Sequence, residues 1–252
     1  MKMKDCVAII TGGGTGIGRG ISEKFAEAGA KVYVVYASSK DAAEETAAGI
    51  NGKGGTAVAY QTDVTDDDAV KRMFAEIAAR DSRVDVLVNN AGWSKRIPHS
   101  QLEDLTDEVW DRTLNTNLRG AFYCMRAAAP YLRKNPGSSI INIASIAPYS
   151  GQGSSIVYAA SKAGLISMTK SFARVLAPEV RVNAIAPGFV RTRFAGWPKE
   201  TFDEAEKKSA LGRISSPEEI GAAAVFLAAE GTAITGETIN VDTGQTAIGR
   251  TL

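Results

Sequence analysis

The chain has 252 residues, 44% hydrophobic and 23% charged, ordinary globular usage that excludes disorder as the dominant state. Its 29 basic and 28 acidic residues leave a net charge of +1, so overall charge gives no argument for nucleic acid or an anionic membrane as partner. Two cysteines and one histidine exclude a disulfide framework and a multi-histidine metal site, and no apolar run approaches the ~20 residues of a membrane span. The unpaired thiols suggest a cytoplasmic protein, and the start, with Lys2 and Lys4 before a short apolar run, reads as no signal peptide.

Short β-rich runs at 6–10, 32–36, 56–61, 84–88, 139–144, 180–185 and 238–241 alternate with helical patterns near 17–28, 40–50, 66–80, 107–134, 156–177 and 217–229. Such alternation predicts right-handed βαβ units. The strands are continuous Val/Ile runs, as expected of a sheet buried on both faces. The expected fold is therefore α/β: a single domain over 1–252, a doubly wound parallel sheet of about seven strands with helices on both faces. The segment 191–213 breaks the rhythm. It is charged, contains Gly196 and Pro198, and carries Phe194, Trp197 and Phe202, which predicts a substrate lid.

The first strand runs into Thr11-Gly12-Gly13-Gly14-Thr15-Gly16-Ile17-Gly18, and a helical pattern follows at once. Glycines let the backbone turn sharply and approach a ligand closely, and a helix N-terminus offers free N–H groups to a pyrophosphate. A Rossmann-like dinucleotide site is the expectation. The end of the second strand should meet the adenosine ribose. Here it reads Tyr36-Ala37-Ser38-Ser39-Lys40, with hydroxyls and a lysine but no acid, which favours NADP(H), with Arg19 in possible reach, and leaves NAD(H) open.

Tyr158 and Lys162 lie four apart at the start of a helical pattern, so they share one face. An ammonium ~4 Å from a phenol is worth ~4 kcal/mol at moderate dielectric, enough to bring its pKa from ~10 toward ~7, with desolvation opposing. The same spacing recurs at Tyr36 and Lys40, but there it follows a strand, where residues four apart do not converge in this way.

Taken in order, Thr11-Gly12-x3-Gly16-Ile17-Gly18, Asn89-Asn90-Ala91-Gly92, Asn117, Ser145, Tyr158-x3-Lys162 and Pro187-Gly188 resemble the short-chain dehydrogenase/reductase family over residues 5–244. Within it the chain is similar to 3-oxoacyl-acyl-carrier-protein reductases and related ketone reductases. The resemblance implies that Ser145 binds the substrate oxygen, Tyr158 is the general acid/base, Lys162 holds the nicotinamide ribose and tunes the phenol, and Asn117 anchors a relay water. It implies that Asp63 and Val64 face the adenine, that Asn90, Ala91 and Gly92 line the adenosine ribose, and that Pro187, Gly188, Val190 and Thr192 flank the nicotinamide. It also implies a homotetramer packed through helices near 107–134 and 156–177. Thr243 departs from the pattern, standing where the family often has Gly.

By position and aromaticity, Trp93, Ile146, Tyr149, Gln152, Phe189, Phe194 and Trp197 are expected to form an apolar pocket for an aryl, cyclic or alkyl ketone. Lys95, Arg96 and His99 are read as a solvated loop at its mouth, with His99 not catalytic. The expected activity is hydride transfer between NADP(H) and a ketone or secondary alcohol. The alternatives are an NAD-dependent alcohol or sugar dehydrogenase of the same family and a non-catalytic dinucleotide-binding protein. No metal, nucleic acid or membrane partner is expected.

Overall fold

Seven apolar segments form one wholly parallel sheet: β1 (Val7–Thr11), β2 (Lys31–Tyr36), β3 (Thr56–Gln61), β4 (Val86–Asn89), β5 (Ser138–Ile143), β6 (Val180–Pro187) and β7 (Thr238–Val241). The computed structural model describes residues 3–246, so the extreme ends of the expected 1–252 domain lie outside it. The strand order is β3-β2-β1-β4-β5-β6-β7. Side chains alternate across a strand, and here both sets are buried: Ile10 and Val34 pack into the core on one face, Ile9 and Tyr33 into the core on the other. That double burial is why these strands read as unbroken apolar runs.

Nine helices among the described residues cover the two faces: α1 (Gly16–Glu27), α2 (Lys40–Gly52), α3 (Asp67–Asp81), α4 (Asp107–Leu114), α5 (Gly120–Leu132), α6 (Ala147–Ser150), α7 (Ile156–Leu176), α8 (Lys199–Lys208) and α9 (Pro217–Ala229). Local chemistry sets several starts. Asp66 caps α3 by accepting from the Asp68 and Ala69 N–H groups, Ser155 caps α7 by accepting from Tyr158 N, and Ser216 with Glu219 forms a reciprocal capping box on α9.

One expectation is corrected. The helix expected at 107–134 is interrupted by a π-helical turn at Asn115–Arg119, a feature that often marks functional sites. The segment 191–213, expected to be a lid, contains α8. The small residues expected to face other subunits are partly used within the chain: Ala128, Ala129 and Ala159 are buried. Among the described residues no helix is long and apolar enough to cross a membrane, and no group of three His, Cys, Asp or Glu residues is placed to hold a metal.

The chain order reverses between β1 and β4, where successive connections leave toward opposite sides. A crevice opens at such a point beyond the carboxyl ends of the strands, and the site lies there.

Candidate active site

The glycine turn between β1 and α1 is a close-fitted cradle. A Cβ on Gly18 would stand 2.0 Å from the carbonyl oxygen of Gly12, so only glycine fits there. Gly12 takes a left-handed conformation at φ 62°. Asn90, just past β4, braces the turn: its Nδ2 donates to the Thr11 and Gly12 carbonyls at 2.9 and 3.0 Å. The Thr11 hydroxyl accepts from the N–H groups of Asn90 and Ala91 and donates to Val88 O. Ser22 and Thr46 donate to the carbonyls of Gly13 and Gly14. These bonds occupy carbonyls and leave the α1 N-terminus facing the crevice, as the anionic pyrophosphate of a dinucleotide requires.

One cavity of about 2100 Å³ runs from this cradle across the sheet. A pocket for one small ligand is typically ~300–1,000 Å³, so there is room for a dinucleotide and a second molecule. Gly12, Thr15, Gly16, Ile17 and Gly18 line one stretch, with Tyr36, Ser38 and Ser39 at the end of β2 and Asp63 and Val64 after β3. Asn90, Ala91 and Gly92 line the middle, and Pro187, Gly188, Val190 and Thr192 the far wall. Near the end of β2 the cations are already partnered. Arg19 pairs with Glu23 and Glu45, Lys40 pairs with Glu44, and Glu45 itself lines the cavity.

Ser145, Tyr158 and Lys162 meet at the other end of the same cavity. Ser145 follows β5, and its Oγ accepts from Ala147 N at 3.1 Å where α6 begins. Tyr158 and Lys162 project from one face of α7, with the Lys162 ammonium 5.8 Å from the Tyr158 ring centre. Lys162 is buried and donates to Ile143 O at 2.7 Å. Burial lowers its pKa from 10.5 to about 8. The expected depression of the phenol pKa is not found in the protein alone. Burial pushes Tyr158 up to about 12, while a hydrogen bond with Ser145 pulls the other way. The lysine is turned to the Ile143 carbonyl, so loss of hydration dominates at the tyrosine.

Asn117 lies outside the cavity lining. Its side chain sits in the π-helical turn and is fully committed to protein partners, Trp93 and Ser161. Its neighbour Asn115 does line the cavity. All seven residues expected in the substrate pocket, Trp93, Ile146, Tyr149, Gln152, Phe189, Phe194 and Trp197, line it. The segment 191–213 places Phe194 5.8 Å from the Tyr158 ring and seats Trp197 edge-on against Phe189 at 5.5 Å. Phe202, on α8, also packs edge-on against Phe189.

Some lining residues escaped sequence reasoning. Arg112 stacks on Trp93 at 4.5 Å, and Gln245 reaches back from the loop after β7 to accept from Phe189 N. Neither belongs to a motif; only folding brings them to the site. In the loop after Gly92, Lys95 and Arg96 are exposed, as expected of a solvated loop. Arg96 lies over the Trp197 ring, and His99 is part-buried against the cavity with Nε2 lacking a partner among the described residues.

A glycine cradle at the switch point of a parallel sheet, joined by one cavity to a serine, a tyrosine and a lysine, defines a dinucleotide-binding oxidoreductase domain. Residues 12–246 match the family model described as enoyl-(acyl carrier protein) reductase. The chain is 36% identical to the 3-oxoacyl-[acyl-carrier-protein] reductase FabG of Thermotoga maritima, over 97% of this chain and 99% of that one. It is 35% identical to the meso-2,3-butanediol dehydrogenase of Serratia marcescens, over 98% and 97%. A short-chain dehydrogenase from Burkholderia cenocepacia J2315, solved in complex with NADP, superposes with a TM-score of 0.91 at 32% identity, covering 98% of this chain and all of that one. The chain belongs to the short-chain dehydrogenase/reductase family.

Proposed function

We propose that this protein is an NADP(H)-dependent carbonyl reductase and alcohol dehydrogenase, interconverting a ketone and a secondary alcohol. The observation that carries this reading is the convergence of Ser145, Tyr158 and Lys162 in the cavity that begins at the glycine cradle. The cradle residues Gly12 to Gly18 would hold the pyrophosphate, Lys162 the nicotinamide ribose, and Pro187 to Thr192 the nicotinamide. When bound, the dinucleotide supplies or accepts the hydride.

The remaining chemistry falls to the side chains. Ser145 Oγ donates to the substrate oxygen and orients it toward Tyr158. The buried phenol is protonated at neutral pH, so it is in the form that gives a proton to an oxygen gaining negative charge. Lys162, charged below about pH 8, stabilises the phenolate left behind. In the oxidation direction the same phenolate takes the alcohol proton. Phe194 and Trp197 shield the oxygen from water and supply an apolar wall suited to an aryl, cyclic or alkyl ketone.

Tyr158→Phe is the direct test: NADPH binding is retained and reduction of a ketone panel is nearly abolished. An undiminished rate overturns the reading. A wild-type protein that binds NADPH but reduces no ketone is a dinucleotide-binding protein without this catalysis.

Use of NADP(H) is supported by the acid-free corner at Ser38 and Ser39, and by the NADP bound to the Burkholderia cenocepacia relative. The ion pairs of Arg19 and Lys40 are exposed and weak, so both cations are free to turn to a 2′-phosphate. A second reading, NAD(H) with an alcohol or sugar, is favoured by Glu45, whose carboxylate lines the cavity and would repel that phosphate. Turnover of one ketone with NADPH and with NADH separates the two.

A homotetramer is part of the proposal, supported by the exposed Val175 and Phe226, and sedimentation tests it. A cytoplasmic location is likewise proposed, supported by the free thiols of Cys6 and Cys124.

A further inference from the structure

Thr243, in the loop just after β7, has an unusual backbone conformation. It lies at φ 56°, a left-handed conformation that a β-branched residue rarely adopts. Its surroundings show what accompanies that conformation. Ser209, fully buried at the end of α8, brings its hydroxyl within 2.8 Å of Thr243 O and 2.7 Å of Thr243 Oγ1. Leu211 N donates to Thr243 O at 3.2 Å, and Thr243 Oγ1 donates back to Asp242 O at 2.6 Å. The end of the lid is therefore fastened to the loop that follows β7.

That loop holds the lid's other root as well. Gly188 N donates to Val241 O, and Phe189 N donates to Gln245 Oε1. A Cβ on Gly188 would stand 2.9 Å from Asp242 Cβ, so the two segments touch closely. Asp242 stiffens the loop by accepting from Gly244 N, Thr246 N and the Thr246 hydroxyl. Both roots of the segment bearing Phe194, Trp197 and Phe202 thus rest on six residues, 241–246.

We propose that Thr243 and Ser209 form the latch that sets the lid over the substrate end of the cavity, making both of them positioning residues for substrate. The cofactor end does not depend on the latch. Thr192, whose methyl is 3.2 Å from where a Gly16 Cβ would stand, is on the entering arm of the lid, whose root is bonded to Val241 and Gln245 rather than to Thr243 or Ser209. Loss of the latch therefore loosens substrate binding and leaves the dinucleotide in place. This inference rests on the proposed reductase only for its kinetic readout, since opening of the lid can be read without turnover.

The experiment uses the full chain with Ser209→Ala, Thr243→Gly and Thr243→Ser. Lid opening is read as the rate of trypsin cleavage within 191–213, mapped by mass, with NADPH bound. Substrate binding is read as KM for ethyl acetoacetate, and cofactor binding as the NADPH Kd. Ser209→Ala is expected to raise both lid cleavage and KM by about fivefold, the effect of one hydrogen bond on a local opening. The NADPH Kd should stay within about twofold, and kcat should change less than KM. Thr243→Ser keeps the hydroxyl and should behave as wild type. Thr243→Gly removes the hydroxyl and relaxes the backbone, so it should raise cleavage and KM without lowering Tm, a pattern that loss of general packing does not give. Lid cleavage unchanged in both Ser209→Ala and Thr243→Gly overturns the latch. Faster cleavage in a protein that reduces no ketone upholds the latch and sinks the reductase reading.

Discussion

The side-chain amide of Asn117 grips the backbone of Trp93 from both sides: Oδ1 accepts from Trp93 N at 2.7 Å, and Nδ2 donates to Trp93 O at 3.0 Å. A third bond runs from Nδ2 to Ser161 Oγ, and Ser161 donates to Tyr158 O. The wall of the cavity is therefore tied to the helix that carries the tyrosine and lysine. A Cβ on Gly92 would lie 3.4 Å from Asn117 Oδ1 and 3.9 Å from Lys162 Nζ, so Gly92 borders both side chains.

Asn117→Ala leaves the Trp93 backbone groups without these partners. The expected cost is about 1–3 kcal/mol, read by chemical denaturation. Ketone KM should rise because the Trp93 wall moves, and Asn117→Asp, which keeps the acceptor alone, should fall between wild type and alanine. Equal KM in all three proteins would show that the grip is structural only.

Gly18→Ala forces a methyl against the Gly12 carbonyl at 2.0 Å, so the cradle must open. The expected outcome is loss of NADPH binding by fluorescence titration, with the circular dichroism of the sheet and helices kept. Wild-type affinity would contradict the assignment of the cradle to the pyrophosphate.

Lys162 carries a pH signature. Its pKa is about 8 in the folded chain and 10.5 when hydrated, so the unfolded chain binds more protons between these values. The contribution of Lys162 to stability thus rises with pH across that window. The stability difference between wild type and Lys162→Met should shift toward wild type by about 3 kcal/mol from pH 8 to 10.5. Denaturant melts at several pH values check it, and a flat difference refutes the buried, destabilised ammonium.

Ser216→Ala removes one half of the capping box of α9. A loss of about 1 kcal/mol is expected, or roughly 2–4 °C in Tm. Activity should be unchanged, because Ser216 does not line the cavity.

Much of this was legible from local chemistry. Apolar runs of strand length with helical patterns between them specified the parallel sheet, since double burial leaves an unbroken Val/Ile record. Glycines packed between a strand and a helix specified the cradle, because only residues without Cβ let Gly18 meet Gly12. Spacing of four on a helix puts Tyr158 and Lys162 on one face whatever the rest of the fold.

What local pattern could not convey depends on distance through space. Whether the phenol gains or loses protons follows from the water removed around it and from where Lys162 points, and neither is encoded in a four-residue spacing. The π-helical turn, the grip of Asn117 on Trp93 and the reach of Gln245 and Thr243 to the lid join residues far apart in the chain. Sequence thus determined the fold, the cradle and the candidate reactive groups through short-range periodicity and steric need; their protonation, and the support beneath the segment 191–213, were decided only by burial and long-range hydrogen bonding.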